Sequence, residues 1–305
     1  LGTVAQEISD RERLGFHLVG NIDYRFPEHD GCASEIGEYI DRLNCRIDLV
    51  VVAFSERRGK YPVDELVALK VQGYDVVEWQ HFVEKISGRI PVRDLSPSYI
   101  IFNPGFEKKY LVLLSRRIMS FLVAFVALAL LFPLLIVICL IIRRDSPGPV
   151  FFLQPRVGEK GSIFSVIKFR TMVENAEKIP VEIRPGEEDP RITRAGCWLR
   201  RYRIDEIPQL INIIKGDINI IGPRPLIVYH VKEYGKNIPY FGLRQTIKPG
   251  ITGWAQVMFH HSDTLEEFET KMEYDLYYLK NMSIKLDLLI LMKTTKIVLL
   301  GRGAK

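Results

Sequence analysis

The chain has 305 residues, with 42 Lys and Arg against 37 Asp and Glu and a mean hydropathy of +0.05. Hydrophobic residues at 47% and charged residues at 26% exclude a disordered or fibrous protein, and the length suits about two domains of roughly 100–200 residues. The net charge of +5 averages an acidic part, residues 1–105 at −5, and a basic part, residues 106–305 at +10, which is expected to meet an anionic partner.

In the acidic part, 16–23 (FHLVGNID), 48–54 (DLVVVAF) and 74–79 (YDVVEW) predict three short buried strands. Between them, 33–43 and 62–71 have helical spacing, with Pro62 suited to a first helical turn. Strand alternating with helix predicts a parallel, doubly wound α/β module, Rossmann-like, over 1–105. Leu1-Gly2 suits the tail of a Gly-rich turn whose first strand lies upstream, so the module reads as truncated, consistent with a chain that opens on Leu rather than Met. Without a full G-x-G-x-x-G, no dinucleotide site follows, and a regulatory or structural role is expected. Asn103-Pro104-Gly105 marks the linker that ends the module.

Residues 118–142 contain no charge over 25 positions, about 37 Å of helix, enough to enter or cross a bilayer. Pro133 lies in the middle of this run, where it removes a backbone hydrogen bond and predicts a kink or break. Lys108, Lys109, Arg116 and Arg117 precede the run, and Arg143 and Arg144 follow it. A spanning helix is expected to carry one basic flank. Two such flanks suit a re-entrant helix over about 112–142, broken at Pro133, that enters and leaves on one face. A kinked spanning helix is the alternative.

Further on, 283–301 (SIKLDLLILMKTTKIVLLG) is too interrupted by Lys285, Lys293 and Lys296 to span, and predicts an amphipathic helix on an anionic surface, with a core helix as the alternative. The scattered Cys32, Cys45, Cys139 and Cys197 predict reduced, structural thiols and a cytoplasmic location.

The chemistry concentrates after residue 190. Arg191, Arg194, Arg200, Arg201 and Arg203 fall within 13 residues, followed at once by Asp205 and Glu206. Asp205 is expected to cap a helix that tolerates Pro208 in its first turn and stops at Gly216. A helix N-terminus and nearby guanidiniums would both favour ionised carboxylates. Adjacent helical residues point about 100° apart, so one carboxylate suits a nucleophile and the other a metal ligand rather than a facing acid–base pair. An isolated Asp-Glu is more often a capped helix with surface ion pairs; the neighbourhood here argues otherwise. Lys168-Phe169-Arg170-Thr171 lies upstream, with Gly222-Pro223-Arg224-Pro225 and 248–254 (KPGITGW) downstream. Cations, turn glycines and paired carboxylates together suit a diphosphate and a divalent ion. A nucleic-acid surface would use similar arginines, but there is no recognition helix or aromatic platform, and nucleic acid is not expected. His260-His261 reads as surface or fold residues.

Seven ordered motifs make residues 110–302 resemble the bacterial sugar transferases, the polyprenyl-phosphate hexose-1-phosphate transferases. They are 145–152 (DSPGPVFF), 154–158 (QPRVG), 168–172 (KFRTM), 205–212 (DEIPQLIN), 215–217 (KGD), 222–225 (GPRP) and 248–257 (KPGITGWAQV). The resemblance implies a mixed α+β, membrane-associated transferase domain over 106–305, preceded in larger members by a Rossmann-like domain. It implies that sugar-1-phosphate passes from a UDP-sugar to undecaprenyl phosphate with release of UMP, initiating exopolysaccharide or another cell-surface glycan. Asp205 would be the nucleophile, forming an aspartyl-phosphosugar, and Glu206 would help hold Mg²⁺. Arg200 and then Arg224 are the implied phosphate ligands, with Lys168, Arg170 and Asp217 as further substrate-binding candidates. The implied location is the cytoplasmic face of the bacterial inner membrane, and a homodimer is a family-level expectation.

Two departures stand out. Phe132-Pro133 replaces the Ser-Pro common at the helix break, and Arg203 stands where Ser is frequent. The rival readings are a membrane-tethered nucleotide-sensing or scaffold protein without catalysis, and an ordinary glycosyltransferase that releases UDP.

Overall fold

A computed structural model describes residues 17–20, 35–53, 62–93, 95–176, 179, 189–259 and 264–299. The chain divides into two compact units between Gly88 and Arg89, ahead of the boundary expected after residue 105.

The first unit contains helix α1 (Glu35–Arg42), strand β1 (Leu49–Val52), helix α2 (Val63–Val71), strand β2 (Asp75–Glu78) and helix α3 (Trp79–Ser87). The strands pair in parallel, from Leu49 opposite Asp75 to Val52 opposite Glu78, so a crossover must join them, and α2 is part of it. Alternate residues of the strands serve two small cores. Val50, Val52 and Val76 pack with Ile36, Ile40, Leu66 and Leu69, while Leu49, Val51 and Val77 pack with Trp79, Phe82 and Val83. Packing on both faces is why β1 reads as an unbroken apolar run and β2 keeps two valines between its charged ends. Pro62 stands at the cap position rather than inside α2. The strand expected over 16–23 is not seen at residues 17–20, which have no regular structure; its other positions, like Leu1 and Gly2, lie outside the described residues.

The second unit begins with residues that the sequence suggested belong to the first. Ile90 and Val92 are fully buried, and with Leu95 and Tyr99 they join a core containing Ile221, Trp254, Met272, Leu276 and Ile290. Helix α4 (Pro97–Phe102) leads to α5 (Tyr110–Asp145), an antiparallel hairpin of β3 (Phe151–Val157) and β4 (Ile163–Phe169), α6 (Arg194–Arg201) and α7 (Gln209–Lys215). Strand β5 (Asn219–Ile221), α8 (Val228–Asn237), β6 (Gly250–Thr252), α9 (Trp254–Met258), α10 (Leu265–Lys280) and α11 (Ile284–Leu299) complete it.

Helix α5 spans 36 residues and continues through Pro133 without interruption. Among the described residues it is the one helix long and apolar enough to cross a membrane. Its ends, however, are both held by the same unit. Near its start, the buried Arg116 donates Nε to Asp287 Oδ2 (2.8 Å) and Nη2 to Ile221 O (3.0 Å), and also contacts the Tyr278 hydroxyl, which itself donates to Asp287 Oδ1 (2.8 Å). Arg117 donates to the carbonyls of Ile213 (2.5 Å) and Ile214 (3.0 Å), where the C-terminal end of α7 attracts a cation. Near its other end, Ile138 and Ile142 pack against Phe169 and Leu199, and Asp145 Oδ2 accepts from Ala195 N (3.0 Å). Arg116 and Arg117 are therefore internal to the fold rather than a headgroup-facing flank. Lys109, Arg143 and Arg144 remain exposed.

The C-terminal segment forms α11, which turns Asp287 and Ile290 inward and leaves Ile284, Leu288 and Met292 exposed along one stripe. Spacing of four residues sets this stripe on one helical face. Asp287→Asn leaves the Arg116 guanidinium buried without its carboxylate. The expected outcome is a loss of about 3–5 kcal/mol in thermal unfolding, largely recovered by Arg116→Met in the same chain.

Candidate active site

The site is assembled around one buried amide. Asn212, 1% exposed, accepts from Ile167 N (3.0 Å) through Oδ1 and donates Nδ2 to Ser165 O (2.8 Å) and Asp217 Oδ2 (2.9 Å). These bonds fix α7 against β4. They also fix the turn before α7 opposite the side chain of Lys168.

Asp205 and Glu206 lie in a single 3-10 turn, Ile204–Glu206, one step before α7, whose cap is Pro208. Asp205 is therefore not the helix cap expected from the sequence. The helix does stop at Gly216. Arg203 enters the turn in the left-handed region at φ 54°, uncommon for a residue with a Cβ, and its carbonyl accepts from Glu206 N (3.2 Å). Upstream, Thr193 caps α6 by accepting from Gly196 N (2.9 Å). Gly196 is required by close approach, because a Cβ there would lie 2.0 Å from Thr171 O.

Glu206 is the electrostatic centre. Its Oε1 accepts from Lys168 Nζ (3.1 Å) and from Arg224 Nη2 (2.8 Å), and its side chain is only 12% exposed. Burial alone would push its carboxyl up, but Arg224 and Lys168 hold it down at about 2. Asp205 shifts the other way: burial, then the charge of Glu206, raise its carboxyl, and Lys168 and Arg200 offset this only in part. The expectation that the surroundings favour ionisation of both carboxylates holds for Glu206 and is corrected for Asp205. Two neighbouring carboxylates thereby acquire different chemistry, the divergence that permits separate roles.

Arg224 owes its position to its own backbone. Its carbonyl accepts from Arg244 Nη2 (2.9 Å), and Arg244, itself buried, pairs with Asp275 on α10 (3.0 Å). The next carbonyl, of Pro225, accepts from Arg156 Nη1 (2.9 Å), while Gln154 Oε1 holds Arg156 Nε (3.1 Å) and Nη2 (2.6 Å). Burial, then the adjacent Arg224, lower the Arg156 pKa to about 10. Arg156 lies in the 154–158 motif, which by itself assigns it no role. The available signal was strand alternation, which sets Gln154 and Arg156 on one face of β3.

The remaining candidates separate. Arg200 Nε donates to Thr171 Oγ1 (2.9 Å) within electrostatic reach of Asp205. Arg170 is buried and donates Nη2 to Ser146 O (2.6 Å) and Oγ (3.0 Å), at the end of α5. Asp217 accepts from Asn212 rather than meeting the carboxylate pair. His260 and His261 lie outside the described residues. Among the described residues, no group of three or more His, Cys, Asp or Glu stands together. A magnesium ion takes one or two protein carboxylates and completes its shell with water and substrate phosphate, a donor set that Asp205 and Glu206 fit.

Residues 111–301, which carry the apolar helix, the hairpin and the carboxylate pair, match the family described as bacterial sugar transferase. The chain belongs to this family. Among other bacterial sugar transferases, it is 41% identical over 190 residues to the UDP-N-acetylgalactosamine-undecaprenyl-phosphate N-acetylgalactosaminephosphotransferase of Aeromonas hydrophila, covering 62% of this chain and 45% of that protein. It is 31% identical over 314 residues to the undecaprenyl-phosphate glucose phosphotransferase of Komagataeibacter xylinus, covering 99% of this chain and 57% of the relative. It is 33% identical over 205 residues to the exopolysaccharide production protein ExoY of Sinorhizobium fredii, covering 63% of this chain and 88% of the relative. The chain spans about half the length of the first two.

Because the folded Glu206 titrates near 2 and an ordinary glutamate near 4.5, its contribution to stability is complete above 4.5 and disappears as pH falls through about 2. The stability advantage of the natural chain over Glu206→Gln is expected to narrow across that window, measured as thermal midpoints at successive pH values.

Proposed function

We propose that this bacterial sugar transferase moves sugar-1-phosphate from a UDP-sugar to undecaprenyl phosphate and releases UMP, initiating exopolysaccharide or another cell-surface glycan. The observation that carries the reading is the carboxylate pair with opposed shifts among Lys168, Arg224, Arg156 and Arg200. Four cations against two carboxylates leave a surplus of positive charge that a diphosphate would neutralise. The relatives' names supply the substrate class.

In this mechanism an Asp205 carboxylate oxygen attacks the phosphorus that bears the sugar, and the bond from that phosphorus to the UMP oxygen breaks. UMP leaves with the electron pair, and the sugar phosphate stays on Asp205. An oxygen of undecaprenyl phosphate then attacks the same phosphorus and frees the Asp205 carboxylate. A raised carboxyl makes the ionised Asp205 a more basic nucleophile. Glu206 stays ionised throughout, and Arg224 and Lys168 fix it. Glu206, with Asp205 beside it, would hold Mg²⁺, which when bound there offsets the diphosphate charge.

The proposal includes a re-entrant α5 and a site on the cytoplasmic face of the inner membrane. A straight helix from Arg116 to Asp145 would cover about 43 Å, more than the roughly 30 Å of a hydrocarbon core, so re-entry requires α5 to bend within the membrane, and Pro133 is the residue that would let it. What supports re-entry is that both points are bound to one folded unit, through Asp287 and Ile221 at one end and Ala195 at the other. The Rossmann-like reading of the first unit is supported by its parallel strand pair, apolar on both faces.

Asp205→Asn is expected to abolish both UMP release and the labelled covalent intermediate; full retained activity would remove Asp205 as nucleophile, and release of UDP instead would replace the reaction. For the helix, Lys109→Cys and Arg144→Cys, each in a chain with Cys32, Cys45, Cys139 and Cys197 changed to Ser, are expected to react with an impermeant thiol reagent on one membrane face. Labelling on opposite faces would make α5 a spanning helix.

A further inference from the structure

The segment Asn103-Pro104-Gly105, which lies inside the second unit between α4 and α5 rather than between the units, has a structural consequence apart from the transfer reaction. Gly105 adopts φ +113°, and a Cβ there would lie 2.5 Å from the carbonyl oxygen of Lys280, the last residue of α10. Only glycine lets the linker close so tightly on that helix end. Immediately beside this contact is a cavity of about 260 Å³. Its walls come from the linker, from the first turn of α5 and from the junction between α10 and α11.

The lining is divided by chemistry. Val112, Leu113 and Met282 are the apolar lining residues, while the charged ones are Lys109, Lys280 and Glu107, two positive against one negative. Lys280 is a fixed charge: its ammonium donates to the Tyr99 hydroxyl (2.8 Å) and lies 4.6 Å from the centre of that ring. Lys109 is exposed at the rim. Just outside, Tyr110 and Leu111 of α5 and Ile284 of α11 expose large apolar surfaces. None of the lining residues is among those that surround Asp205 and Glu206.

A cavity with a net positive lining and an apolar wall, opening beside two helices with exposed apolar faces, matches the chemistry of a lipid at its headgroup. The volume is below the roughly 300–1,000 Å³ of sites for whole drug-sized ligands, which suits a headgroup better than a nucleotide. We propose that this cavity binds the phosphodiester headgroup of an anionic phospholipid, with the acyl chains running along α5 and α11. Its depth at the bilayer surface rests on the re-entrant reading of α5; the cavity and its lysines do not.

The test uses the full chain in neutral detergent and needs no catalysis, so it stands apart from the transfer reaction. Short-chain dihexanoyl phosphatidylglycerol at saturating concentration is expected to raise the thermal unfolding midpoint by about 2–4 °C. Dihexanoyl phosphatidylcholine and inorganic phosphate are expected to leave it unchanged. Lys109→Glu and the cavity-filling Val112→Trp should each lose the shift, while Lys285→Glu, an exposed lysine on α11 outside the cavity, should keep it. An equal shift in Lys109→Glu, an equal loss in Lys285→Glu, no shift in the natural chain, or an equal shift from phosphate would each overturn the proposal. The last outcome would make the cavity a site for a free anion.

Discussion

A guanidinium withdrawn from water must have its charge matched and its donors satisfied, and Arg116 meets that requirement in a way that organises the second unit. It projects from the apolar helix α5, yet its partners lie on three other elements: Asp287 on α11, Tyr278 on α10 and the Ile221 carbonyl at the end of β5. Turning Asp287 inward decides which face of α11 looks outward, and that face is the stripe of Ile284, Leu288 and Met292. The Ile221 carbonyl immediately precedes the Gly222–Pro225 turn. One buried charge thus links the apolar helix, an amphipathic helix and the segment that carries Arg224.

The carboxylate pair shows how neighbouring identical functions are made unequal. Glu206 and Asp205 are one residue apart in a tight turn, but Lys168 and Arg224 hydrogen-bond only to the first. Burial, together with the negative charge that Glu206 thereby keeps, then weighs against ionised Asp205. Behind this first layer, buried Arg244 and half-buried Arg156 hold successive carbonyls of the Arg224 segment, so the position of one guanidinium is determined by two others. Like charges are crowded there because their hydrogen bonds run to neutral oxygens as well as to carboxylates.

Much of this was legible in the sequence where the signal was local. The apolar runs at 48–54 and 74–79 became the paired strands β1 and β2, and Gly216 ended its helix as its conformation suggests. The ordered motifs brought Lys168, Arg224 and Glu206 together although they are far apart in the chain. Signals that depend on partners distant in sequence were not legible. Arg116 and Arg117 look like membrane-flanking cations until Asp287 and the end of α7 are placed beside them. Asp205 has the composition of a helix cap, but the left-handed Arg203 starts a separate turn, and capping passes to Pro208. Burial, which decides the direction in which Asp205 titrates, is a property of the packed unit rather than of any motif.

Lys168 and Arg224 approach the same oxygen of Glu206, Oε1. The carboxylate is consequently asymmetric: one oxygen carries both of the protein's own cations. The side chain could not swing away from this arrangement without releasing the two groups that keep it charged.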